Sequence, residues 1–267
     1  MSGPRGWAGV ALTRAVSPSI ARCVLTHVPR RAIDWRRAAR QHARYEHALA
    51  TLGLAVRHLP PEPALPDAVF VEDAAVVLDE VAVIARPGAR SRRPEVASVA
   101  RALETDRRLC RIVAPGTLDG GDVLTVGRRV FVGASARSNA AGRRQLREAL
   151  EPYGYHVRDV AVTGCLHLKS AVTAVADGTL LIRREWIDAR VFRAFELIDV
   201  DPAEPFAANA LRVGETVILP AAHRRTRRRL EARGLDVRGV DVSELAKAEG
   251  GVTCCSLVLP RHPTPLA

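Results

Sequence analysis

The sequence has little of what usually marks a specialised surface. Of its 267 residues only Lys169 and Lys247 are lysine, one is methionine and eleven are aromatic. So few rings argue against a face that stacks on nucleic-acid bases. The five cysteines, Cys23, Cys110, Cys165, Cys254 and Cys255, include no CxxC pair and are odd in number. That spacing points to neither a disulfide frame nor a tetrahedral zinc site, and it fits free thiols in a reducing compartment. No apolar run approaches the roughly 18 residues a membrane span needs. The opening MSGPRGWAGVALTRAV has no apolar segment long enough for a secretory signal. Residues 1–13 therefore read as a mobile leader before one domain over 14–267, and the expected location is cytoplasmic.

Arginine takes the place of lysine. Together with the two lysines, 38 arginines outweigh 29 acidic residues and leave a formal charge of +11. Such one-sided usage reads as coding bias rather than as a surface built for a polyanion. The run RRTRRR, Arg224 to Arg229, is the one feature a nucleic-acid reading can hold. No helix-turn-helix, zinc-finger or RNP motif accompanies it, and it reads as the solvated face of a helix. With 48% hydrophobic and 26% charged residues the chain is a packed globular protein, not a disordered one.

Three segments rhyme: LGLAVRHL from Leu52, YGYHVRDV from Tyr153 and RGLDVRGV from Arg233. Each follows an amphipathic stretch and places a glycine (Gly53, Gly154, Gly234) where a helix ends before a strand. LCRIV from Leu109 and ELIDV from Glu196 are looser copies. Hairpin signals recur in the same rhythm around Asp79, Gly127, Asp177-Gly178 and Gly214, the Asp-Gly pair calling for a type I′ turn. The unit is strand, strand, helix, strand, and a period of this length calls for a repeat fold. The last unit is incomplete at CCSLVLP, with RCVLTH (Arg22 to His27) as its expected partner strand. Joining the two closes a ring and removes two sheet edges. The expected fold is α/β: one five-fold pseudosymmetric α/β propeller of ββαβ units. The model helix begins at Trp35 behind an Asp34 N-cap and ends at Leu52, with His42 and His47 as packing or surface residues.

The polar oddities fall at one place in each unit, just before or at the start of its hairpin. They are PDAVFVED, TLDGGDV, GCLHLKS, FAANA and GGVTCCS. Radial symmetry would bring Asp119, His167 and Cys254 together as acid, base and nucleophile. Taken singly, each has a bland reading: a turn carboxylate, a satisfied structural histidine, a small core cysteine. Cys254 and Cys255 lie in an apolar strand, so only one of them can face the axis.

The motifs PDAVFVEDAAVV, TLDGGDVL, LHLKS and VTCCS, in this order and spacing, resemble those of the dimethylarginine dimethylaminohydrolases. That family belongs to the guanidino-group-modifying superfamily with a five-bladed, pentein-type propeller. The likeness spans about Arg14 to Leu259. It implies hydrolysis of asymmetric dimethylarginine or monomethylarginine to citrulline and the methylated amine. It maps the nucleophile to Cys254 rather than Cys255, the catalytic histidine to His167 and the orienting acid to Asp119. It further implies that Asp73, with Glu72 beside it, faces the guanidinium. Asp67 and the backbone of Leu25 would take the α-amino group, and Arg92 and Arg137 the carboxylate. Ala248 stands where the family has a larger apolar residue making a backbone contact. The segment around Leu25 would be a lid.

On the same reading the enzyme needs no metal or organic cofactor, although a Cys/His site can take up zinc and be inhibited. Its partner is a small methylated arginine, with no nucleic acid or membrane, and the protein is a monomer or homodimer. The alternatives are an arginine deiminase-like enzyme acting on another guanidino compound, or a basic nucleic-acid-binding or scaffold protein that retains the fold.

Overall fold

The computed structural model describes residues 9–260. Fifteen strands form five three-stranded sheets. They comprise Ala75–Val77, Val81–Ile84 and Arg108–Arg111; Val123–Val126, Arg129–Ala134 and His156–Ala161; and Val172–Ala176, Thr179–Ile182 and Glu196–Asp199. The other two are Leu211–Val213, Thr216–Pro220 and Asp236–Val240, and finally Leu257–Pro260, Gly9–Thr13 and Leu54–His58. In every sheet the middle strand runs antiparallel to the one before it and parallel to the one after it. Parallel neighbours need a crossover. Helices Trp35–Thr51, Val96–Leu103, Ala140–Leu150 and Arg224–Glu231 supply four of the five. The first strands of all five sheets line one axial channel of about 390 Å³, which is the propeller axis. The core is five apolar clusters packed between neighbouring sheets and their helices.

Local chemistry explains the elements. Asp34 caps the first helix by accepting the Arg37 N–H at 3.0 Å, and Ala38, Tyr45, Ala48 and Leu49 bury one stripe. His42 is buried and His47 exposed. Gly53, Gly154 and Gly234 take φ of 95°, 74° and 79°, the left-handed geometry that ends a helix without a Cβ penalty.

Four expectations are corrected. The ring is closed by Gly9–Thr13, with Leu12 opposite Leu257, and not by Arg22–His27. Beyond the 3₁₀ turn Ile20–Arg22 the latter segment is loop because carboxylates take its amide groups: Val24 N–H goes to Asp67, while Thr26 and His27 go to Glu249. For the same reason a leader over 1–13 runs too far, since Gly9–Thr13 is the middle strand of a sheet. Residues 1–8 of that leader lie outside the described residues. The third sheet has no crossover helix but short 3₁₀ turns at Arg184–Trp186 and Ala189–Phe192. There Asp188 draws the Arg190 N–H to its side chain at 3.1 Å and starts a fresh turn where a helix would have to continue. At Asp177-Gly178 only Gly178 is left-handed, at φ 71°, and the register shifts at Thr179/Leu180. The hairpin is thus bulged rather than type I′.

Candidate active site

Five short turns meet at one end of the axis, each leading into the first strand of a sheet. They are Val71–Ala74, Gly120–Asp122, Leu168–Ala171, Pro205–Ala208 and the turn over residues 252–255. The cysteines therefore sit in a turn before Leu257, not in the strand itself. They still face opposite ways: Cys255 is fully buried in the core, whereas Cys254 opens onto a cavity.

That cavity has a volume of about 20 Å³. Asp67, Asp73, Arg92, Arg137, His167, Ala248 and Cys254 all line it. His167 Nε2 lies 3.0 Å from Asp119 Oδ2, and its Nδ1 lies 3.7 Å from Asp73 Oδ1. Asp119 is fully buried and its other oxygen accepts the Gly88 N–H at 2.8 Å. Asp73 accepts the Gly121 N–H at 2.9 Å and an Arg92 hydrogen bond. A Cβ on Gly121 would stand 2.6 Å from both Asp73 Oδ1 and His167 Nδ1, so only glycine lets these groups close together. The Cys254 sulfur accepts the Gly251 N–H at 3.3 Å.

Electrostatics set the resting protonation. Burial lowers the basicity of His167, but Asp73 and the hydrogen bond to Asp119 outweigh it and lift its pKa to about 9. Burial opposes ionisation of Asp73, yet His167 and Arg92 hold it down at about 2. Burial, with Glu72 and Asp73 adding repulsion, pushes the Cys254 thiol up to about 12. At neutral pH the empty site thus holds a thiol, an imidazolium and a carboxylate.

Asp73, Asp119 and His167 are also the residues whose ligand atoms lie within 4.8 Å of one another, a spacing a cation could use. The imidazolium already fills that role, with one ring nitrogen turned to each carboxylate.

One expected contact is placed elsewhere. Glu72 points into the axial channel, where Lys169 Nζ lies 2.6 Å from Oε1 and Thr253 donates to Oε2 at 2.7 Å. Leu25 packs on the core, and its neighbour Val24 forms the cavity wall and donates its N–H to Asp67 at 3.2 Å. Arg92 reaches the cavity already engaged: to Asp73, to Glu95 at 2.8 Å and to the carbonyls of Asp67 and Phe70. Arg137 is freer, with its guanidinium donating to the Thr26 hydroxyl at 3.0 Å.

Sequence reasoning missed four supports. Asp122, the second acid of TLDGGDV, accepts from Ser135, Ser138 and the Leu168 N–H and so fixes the backbone beside His167. Its place in the motif was the available signal. Asn209 accepts the Thr253 N–H at 3.1 Å and donates to its hydroxyl at 2.9 Å, holding the nucleophile turn. Glu95 anchors Arg92. Glu249, at φ 60°, accepts the backbone N–H groups of Thr26, His27 and Val28 and ties that segment to the cavity rim. Neither Glu95 nor Glu249 has a local sequence signal.

No protein-family model matches the chain. A curated relative from Streptomyces coelicolor, named N(G),N(G)-dimethylarginine dimethylaminohydrolase, is 42% identical over 253 residues, covering 93% of this chain and 96% of its own. Among solved structures, a cysteine-to-serine mutant of the Pseudomonas aeruginosa enzyme complexed with citrulline superposes with a TM-score of 0.89. It is 35% identical, and the match covers 93% of this chain and 98% of that one. A histidine-to-glycine dimethylarginine dimethylaminohydrolase, an adduct with S-methyl-L-thiocitrulline, superposes with the same TM-score, identity and coverage. With likeness of this extent on top of the shared five-sheet ring, the chain belongs to the dimethylarginine dimethylaminohydrolase family.

Proposed function

We propose that the chain hydrolyses asymmetric dimethylarginine or monomethylarginine to citrulline and the methylated amine. The observation that carries this reading is one small cavity with a thiol, an imidazolium, three carboxylates and two arginines among its walls. A methylarginine is a cation joined to a zwitterion, so it needs both signs of charge in one place. Arg137 takes the substrate carboxylate, as a planar guanidinium does better than an ammonium. Asp67 and the lid backbone take the α-amino group. Asp73 takes the guanidinium, which frees one Arg92 nitrogen to join Arg137, so the site's internal ion pair is exchanged for two pairs with substrate.

The substrate's positive charge then favours ionisation of the Cys254 thiol, whose proton is lost to solvent, and the thiolate attacks the guanidinium carbon. His167, held by Asp119, gives its proton to the departing amine, whose C–N bond breaks. The neutral imidazole next takes a proton from water as the water adds to the thiouronium. The C–S bond breaks, citrulline forms and the thiolate is released. The protein acts in the cytoplasm, as a monomer or homodimer, and no helix among the described residues is long and apolar enough to cross a membrane.

Citrulline release from dimethylarginine, monomethylarginine and arginine, assayed in parallel, tests the reading. Turnover of the methylated compounds with dimethylamine or methylamine as co-product is expected. Turnover of arginine alone, with ammonia, would make the chain a deiminase instead.

A further inference from the structure

Cys254 belongs to the walls of two cavities. One is the charged cavity of about 20 Å³; the other is a groove of about 190 Å³ that opens to solvent. Leu166, Glu249 and Gly250 are common to both, so the two spaces meet at the sulfur. The charged side is the smaller space and carries both signs of charge on its walls. The groove is different in kind. Its apolar walls include Val28, Leu166, Phe206, Pro220 and Val242, and neither arginine nor lysine lines it in a chain of net charge +11.

Three of its polar side chains are already engaged, and two imidazoles, His27 and His223, stand beside them. Glu249 holds the lid amides, Asn209 holds Thr253, and Asp241 accepts from Gln41. Phe206 is 46% exposed and packs against Trp186 with ring centroids 5.2 Å apart, a large apolar face left bare at the mouth. Such a space takes hydrocarbon, not charge.

We infer that this groove is a subsite for the substituent on the departing nitrogen, and that the enzyme hydrolyses N-alkylarginines with chains several carbons longer than methyl. The inference rests on the proposed reaction. With the amino-acid end fixed in the charged cavity and the guanidinium carbon at Cys254, a substituent on the leaving nitrogen extends past the sulfur into the groove. The chemistry is unchanged: N-alkylarginine and water give citrulline and the alkylamine, with the bond to the alkyl-bearing nitrogen broken. Each methylene fully removed from water favours binding about three- to fourfold. In a half-open groove, replacing methyl by butyl lowers KM on the order of tenfold.

The test is a series of N-methyl-, N-propyl- and N-butylarginine, followed by citrulline release, with wild type, Ala222→Trp and Ala246→Phe. Both alanines are exposed residues of the groove wall, on separate segments. Wild type turns over all three with KM falling along the series. Each variant retains N-methylarginine turnover and loses most of its efficiency on the butyl compound. Turnover of N-methylarginine without turnover or competitive binding of N-butylarginine in wild type overturns the subsite and leaves the reaction standing. Variants that handle methyl and butyl alike overturn it as well. Should a variant fail to fold, the wild-type series decides alone. If no N-methylarginine is hydrolysed at all, the reaction falls and the subsite with it.

Discussion

Asp73 has two charged partners, Arg92 and His167, and both must accommodate a cation that competes for its oxygens. The neighbouring thiol is quiet for the opposite reason: the cations beside Asp73 keep that carboxylate charged, while burial and the negative charge of Glu72 and Asp73 face the sulfur. Free Cys254 is therefore expected to react with iodoacetamide slowly at pH 7.5 and faster as pH rises toward 12. A small amidinium should accelerate that alkylation by placing positive charge beside the sulfur; an alkylation rate already maximal at pH 7.5 would show that the thiol is ionised without help. Cys254→Ser should abolish citrulline formation while Cys255→Ser retains it, because Cys255 Sγ lies in the core, near the Gly251 carbonyl at 3.5 Å. Arg137→Ala removes the less committed of the two arginines. Loss of one side of a buried charge pair costs on the order of 2–5 kcal/mol. Its kcat/KM should thus fall by one to three orders of magnitude, and unchanged kinetics would remove Arg137 from the carboxylate clamp.

Among the elements, the loop over Thr26 to Val28, proposed as a lid, is the one whose hold on the rest is most concentrated. Three consecutive amide groups, Thr26 to Val28, depend on one carboxylate at Glu249. Hydrogen bonds to a charged group contribute about 1.5–3 kcal/mol each. Glu249→Gln should speed amide exchange at these three residues by an order of magnitude or more and raise KM, with the sheets unaffected; unchanged exchange would mean the lid is held elsewhere. This latch also marks where sequence reading runs out. Gly53, Gly154 and Gly234 announce helix ends because backbone geometry restricts the residue type locally. Asp119, His167 and Cys254 are legible because each stands at the same point of a repeated unit. Glu249 meets Thr26 across 223 positions with no pattern to link them. Likewise nothing local tells that Glu72 turns to Lys169 in the channel while Asp73, one residue on, turns to the cavity. The strand at Gly9–Thr13 was hidden by its place beside a leader-like stretch.

For the molecule as a whole, the buried charges fix how stability follows pH. His167 is raised to about 9 from an unfolded value near 6.5. Its contribution is full below pH 6.5 and is lost as pH climbs through 9. Asp73 is lowered to about 2 from 3.8, so its contribution is full above 3.8 and lost as pH falls toward 2. Glu95 is raised by burial to about 7 against the pull of Arg92, and what it contributes in the neutral form fades as pH rises from 4.5 to 7. Thermal unfolding should therefore show greatest stability near pH 4–4.5 and a decline from there toward pH 9.5. The His167 share of that decline is on the order of 3 kcal/mol, and His167→Ala should flatten it. A decline as steep in the variant would assign it to other groups. The arginine helix Arg224–Glu231 lies apart from this balance, its side chains reaching Asp201 and Glu231 at the surface.

The sheet that closes the ring gives protein synthesis a bearing on chemistry. Gly9–Thr13 emerges from the ribosome early, but its antiparallel partner, Leu257–Pro260, is translated only after four other sheets. Until then the early strand keeps a bare edge, and the contact it awaits spans nearly the whole chain, the kind that forms slowly. Cys254 lies directly before that late strand. A nascent chain therefore has no closed ring, and the cavity at Cys254 is completed only with the final closure of the fold.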